Sequence, residues 1–138
     1  MKTISGNNEV QNHSEQLNFI LGIFLIVVAF LLMYSSDNLA YHRGKDVDIL
    51  FLLISGFLSF AVSFTRKSEI LFRVNVLLGM VSFLLAVLSM VVQVLNYTAW
   101  WEPFIHFDAG DVFFHALVAI AFFFIAGRMR QGRRGHVQ

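Results

Sequence analysis

No cysteine occurs in the chain, so a disulfide frame, a Cys-ligated zinc site and a thiol nucleophile are all excluded. Gly-rich phosphate loops, a GxSxG elbow and an HExxH pair are missing too, which removes the common routes to nucleotide binding and to serine or zinc hydrolysis. Proline appears once, and charged residues make up only 14% of the 138 positions. What fills the chain instead is hydrocarbon: 57% of residues are hydrophobic and the mean hydropathy is +0.69. A soluble domain of this size would spread charge along its elements, whereas here the charge falls in short clusters between long apolar runs. The composition predicts an integral membrane protein.

A helix needs roughly 20 apolar residues to cross about 30 Å of hydrocarbon, and four runs meet that requirement. They extend from Asn18 to Tyr34, from Val47 to Phe64, from Phe72 to about Asn96, and from Phe104 or Phe107 to about Ala126. The last must begin that early, because only Ala116 to Gly127 is uninterrupted and twelve residues are too few to span. Asp111 and His115, with Asp108, are thereby drawn into the outer third of the membrane. The expected fold is all-α: a polytopic membrane protein built as an antiparallel four-transmembrane-helix bundle over residues 17–127. A polar tail (1–16), read as flexible or surface-bound, precedes it, and a basic tail (128–138) follows. The first run reads as a membrane helix rather than a signal peptide, since sixteen mostly polar residues precede it and no small-x-small cleavage site follows. No internal repeat is evident beyond two hairpins of similar size.

Lys and Arg set the expected orientation. Lys2, Arg66, Lys67, Arg73, Arg128, Arg130, Arg133 and Arg134 fall on one side of an even-numbered bundle, and only Arg43 and Lys45 on the other. Both termini are expected in the cytoplasm, in a bacterial or archaeal inner membrane. The last loop, with Glu102, Asp108 and Asp111 and the Trp100/Trp101 pair beside it, then faces outward. The RMRQGRR tail is an orientation signal and a patch for anionic lipids, and no nucleic-acid partner is expected.

Along the third run, Asn75, Gly79, Ser82, Ala86, Ser89, Gln93 and Asn96 recur at alternating spacings of four and three, on one helical stripe. In lipid, small and polar residues let backbones approach and amides bond across helices, which predicts that the third helix is the one on which the others pack. Ser55, Ser59 and Ser63 form a shorter seam on the second helix, with Gly56 beside it. Packing is the preferred reading of that ladder, with a water path as the alternative.

The fourth run carries the chemistry. Asp108, Asp111 and His115 are three and four residues apart, on one face continued by Ala119 and Phe122. Ionisable groups in a membrane are costly and persist where they pair, coordinate a cation or line a polar cavity. Carboxylate and neutral imidazole are ordinary ligands of zinc and other divalent metals, so Asp108, Asp111 and His115, joined by His106 or His42, make a candidate metal cluster. The first outer loop adds Asp37, His42, Asp46 and Asp48, which would close over it. The alternative is helix glue, with the Asp/His pair bonded to Gln93 and Asn96. Bis-histidine haem is disfavoured because only His115 lies clearly inside a run.

The segment DVFFHALVAIAFFFI, residues 111–125, resembles the last-helix signature of the CREST superfamily of membrane hydrolases, which includes the alkaline ceramidases. In that resemblance His115 matches the second histidine of the signature and Asp111 stands at the first. It implies a zinc-dependent enzyme that hydrolyses amide or ester bonds of lipids. Three readings stay open: a subunit or interaction protein of a membrane assembly, as a homo-oligomer or with a membrane-protein partner; a zinc hydrolase; and a small proton-coupled transporter or channel subunit. Size favours the first.

Overall fold

In hydrocarbon every backbone amide and carbonyl must be satisfied within its own segment, and runs of Leu, Ile, Val and Phe without proline meet that demand as helices. The computed structural model describes residues 3–37, 46–65, 67–94 and 109–134. It contains four helices, α1 (Thr3–Asp37), α2 (Asp46–Ser63), α3 (Ser68–Val94) and α4 (Ala109–Arg134), and no strand among the described residues. Three are long and apolar enough to cross a membrane, over Gln11–Tyr34, Ser68–Val94 and Ala109–Arg130. α2 is shorter: its 18 residues rise about 27 Å.

The helices run antiparallel. Asn18 lies against Ser59 and Gly22 against Gly56 and Phe60, while Val28 and Leu32 share a cavity wall with Asp48 and Leu52. Likewise, Leu71 clusters with Met129 and Gly79 sits under Phe123. α1 packs along α2 and α3 along α4 over long stretches, whereas α1–α4 and α2–α3 meet over shorter ones. The result is a four-helix membrane bundle made of two tight hairpins. Its centre draws Leu25 and Ala29 from α1, Ile49 and Leu52 from α2, Leu78 from α3, and Val118 and Phe122 from α4. The outward faces are apolar, with Leu31, Phe57, Leu84 and Ile120 all exposed, as contact with lipid chains requires.

Several expectations change. The polar segment 1–16 is helical from Thr3 onward rather than flexible, and Ser14 and Asn18 are buried. At the other end α4 continues past Ala126 to Arg134. Gly127 does not interrupt it, and the Arg128 guanidinium lies over the Phe124 ring at 5.7 Å. Arg73, one of the basic residues that set the expected orientation, belongs to α3 and pairs with Glu69 one turn before it. The third helix is also not the most buried. Eight of the sixteen residues from Asp48 to Ser63 in α2 are buried, against seven of the 27 in α3. The reason is geometric: α3 has a broad contact with α4, only a short one with α2, and most of its remaining surface exposed.

Since lipid tails are as apolar as leucine, helices in a membrane associate through close packing and polar bonds more than through hydrophobic burial. At the α1–α2 seam both are present. A Cβ placed on Gly22 would lie 2.7 Å from the Phe60 amide nitrogen and 2.8 Å from the Gly56 carbonyl oxygen, so the two backbones touch. One step along, Ser59 Oγ donates to the Asn18 carbonyl oxygen at 3.0 Å, and its oxygen is 3.1 Å from Asn18 Oδ1. Ser55 and Ser63 instead bond carbonyls of their own helix.

The α3 stripe is buried at Asn75, Gly79, Ser82, Ala86 and Ser89, and exposed at Gln93; Asn96 lies outside the described residues. Its polar groups turn inward on their own helix: Asn75, Ser82 and Ser89 donate to the carbonyls of Leu71, Leu78 and Leu85. The stripe therefore contributes closeness more than cross-helix bonds. Leucine at Gly79 or Ser82 is expected to lower stability in detergent by about 1 to 3 kcal/mol through overpacking. Leucine at Val81, on the exposed side, should change it by less than about 0.5 kcal/mol. Thermal unfolding of the three variants checks this, and equal tolerance at all three sites would contradict it.

Candidate functional site

At the end of the bundle where α2 and α4 begin, α1 ends as well. Asp48 occupies the first turn of α2, where the helix dipole favours a carboxylate, and Asp111 occupies the first turn of α4. His115 follows Asp111 by one turn and faces inward. His115 Nε2 lies 3.3 Å from Asp48 Oδ1, a bond across the diagonal of the bundle between side chains that are 2% and 7% exposed. Two phenyl rings fix the imidazole: Phe51 and Phe114 meet it edge-on at centroid distances of 5.6 and 6.1 Å.

The pair is only half satisfied. His115 Nδ1 and Asp48 Oδ2 are both buried and have no hydrogen-bond partner among the described residues. A buried polar atom without a partner costs free energy on the order of 1 to 3 kcal/mol, so such atoms in a folded chain call for an explanation. The two residues that carry them line a cavity of about 310 Å³, together with Asp111. Val28, Leu32, Leu52 and Phe114 form its apolar walls. A larger hollow at the opposite end, beside Glu15, Phe19 and Phe64, is shallower and more open. Its lining includes none of the buried atoms that lack partners.

The residues expected to form a metal cluster are distributed as follows. Asp111 and His115 share the cavity, with His115, Ala119 and Phe122 buried along the same face of α4. His42, His106 and Asp108 lie outside the described residues. Among the described residues no group of three His, Asp or Glu side chains is placed to hold a metal ion. Of the expected glue partners, Gln93 is exposed and Asn96 lies outside the described residues; the residue that stands against His115 is Asp48.

Asp48, expected in a loop closing over the site, stands instead in the first turn of α2, bonded to His115. One signal was available. Asp48, Leu52, Ser55 and Ser59 follow one another at spacings of four, three and four, so the buried serine seam of α2 leads straight back to the carboxylate. No family model matches the chain, and neither a curated protein nor a solved structure is found to be similar to it.

Proposed function

We propose that this small integral membrane protein binds a proton or a cation at the outer end of its bundle, through Asp48 and His115 with Asp111 beside them, and that it serves as a subunit or interaction protein of a membrane assembly. The observation that carries the reading is the pair of orphaned polar atoms, Asp48 Oδ2 and His115 Nδ1, on two residues that line one cavity. An ionised aspartate at the centre of a bilayer is unfavourable by about 2.5 to 3.5 kcal/mol on insertion scales, less near the interface, and a bound cation or a protonated imidazole offsets that.

The donors present, one carboxylate and one imidazole, are ordinary ligands of a divalent metal such as zinc. Asp48 and His115 supply two positions; Asp111 lines the cavity without completing a group of three with them, so a third ligand would come from His42, His106 or Asp108. Elemental analysis of the untagged protein, joined to thermal stability with and without added cations, tests the proposal. Cations are expected to raise the unfolding temperature of the natural chain and to have no such effect on Asp48→Asn. An equal rise in both proteins would remove the pair from the binding site.

Orientation enters through charge: eight basic residues on one side against two on the other put both termini in the cytoplasm and the cavity outside. A reporter fused after Gln138 should be active in the cytoplasm, and one inserted near Gly44 should be active only outside it. The reverse labelling would invert the bundle and expose the site to the cytoplasm.

A further inference from the structure

Charge and hydrogen-bond direction together narrow what the cavity accepts. An imidazole that donates from Nε2 to Asp48 Oδ1 carries a lone pair on Nδ1, so in that tautomer the two unpartnered side-chain atoms of the cavity residues, His115 Nδ1 and Asp48 Oδ2, are both acceptors. The ligand must bring the N–H or O–H groups. Two helix N-termini point to the same place, each equivalent to about half a positive charge, and two first-turn carboxylates oppose them. Counted over the described residues with both carboxylates ionised, the balance is roughly one negative charge, which a monovalent cation neutralises and a divalent one overshoots. Hard inorganic cations also require a shell of about six or more oxygens, whereas among the described lining residues only Asp48 and Asp111 bring side-chain oxygens, beside the apolar Val28, Leu32, Leu52 and Phe114.

From these features we infer that the cavity binds an organic ammonium, whose N–H groups donate to Asp48 Oδ2 and His115 Nδ1 while its hydrocarbon lies against Leu32, Leu52 and Phe114. The inference rests on the cation-binding role proposed above and names the ligand class. At about 310 Å³ the cavity is near the lower limit for small-molecule sites, so it takes a compact amine or only the headgroup of a lipid. A free alkylamine and the ethanolamine headgroup of a phospholipid present the same ammonium chemistry.

The test uses the full, untagged chain in nanodiscs of phosphatidylcholine, titrated calorimetrically with cyclohexylammonium, with its neutral isostere cyclohexanol, and with zinc and potassium chlorides. Empty discs give the partitioning background. Saturable binding of cyclohexylammonium is expected, at least about tenfold tighter than cyclohexanol and weakened at least about tenfold in Asp48→Asn, as loss of a charge-assisted hydrogen bond implies. Equal affinity for amine and alcohol overturns the inference, and that comparison on the natural chain holds even where Asp48→Asn fails to fold. Discs containing phosphatidylethanolamine separate the sources: competition identifies the lipid headgroup, and undiminished binding identifies a free amine. Should zinc or potassium bind in an Asp48-dependent way while the amine does not, the organic ligand falls and the cation role stands. Absence of binding by all of them removes both.

Discussion

Leucine at Gly22 should prevent the bundle from forming, or destabilise it by more than about 3 kcal/mol, the upper end of ordinary overpacking. A side chain there meets backbone, the Phe60 amide and the Gly56 carbonyl, and backbone cannot rotate aside as a side chain can. The contrast with Gly79 is informative. A Cβ at Gly79 would lie 2.9 Å from the Phe123 ring, whose side chain is 39% exposed and has lipid to move into. Gly127 supplies the control, because nothing lies within 4 Å of a Cβ built on it. Unfolding of the three leucine variants in detergent should rank Gly22 far below Gly79, and Gly79 below Gly127. A Gly22 variant as stable as the Gly127 variant would mean that α1 and α2 do not cross where they are placed.

Removing the imidazole should be nearly as damaging. His115→Ala leaves the Asp48 carboxyl buried with neither oxygen bonded, and breaking one side of a buried pair costs about 3 to 5 kcal/mol. Replacing both residues by leucine takes away the pair together with its desolvation cost, so the double variant should regain most of the lost stability. A double-variant cycle on thermal or denaturant unfolding measures the coupling directly. Additive losses would show that the two side chains do not interact, and the cavity would then lose its proposed polar end.

The apolar runs made the four helices legible, because hydropathy reports the solvent of a segment and lipid admits little besides helix. Their pairing was harder to read. The α3 stripe was visible as small residues at regular spacing, yet it did not make α3 the hub, since a stripe states which face packs and not how many neighbours it packs against. On α1 the equivalent seam is Ser14, Asn18, Gly22, Leu25 and Ala29, all buried, and its pattern is obscured in the sequence because Ser14 sits in the polar segment 1–16 and Asn18 stands at the very start of the apolar run. Asp111 and His115 stood out by spacing within one helix. Their relation to Asp48 spans 67 positions and depends on which helices face each other diagonally, a fact that no local pattern encodes.

The diagonal bond also bears on the order in which the chain can be completed as it enters the bilayer. Asn18 and Ser59 satisfy each other within the first hairpin, so α1 and α2 can leave the insertion machinery as a finished pair. Among the described residues of that hairpin Asp48 has no such companion, and its partner is on the last helix to emerge. Until α4 arrives the carboxylate must wait at the end of α2, within reach of headgroups and water. A chain cut short before α4 therefore lacks the imidazole that pairs with this carboxyl, and completion of the bundle buries the two together.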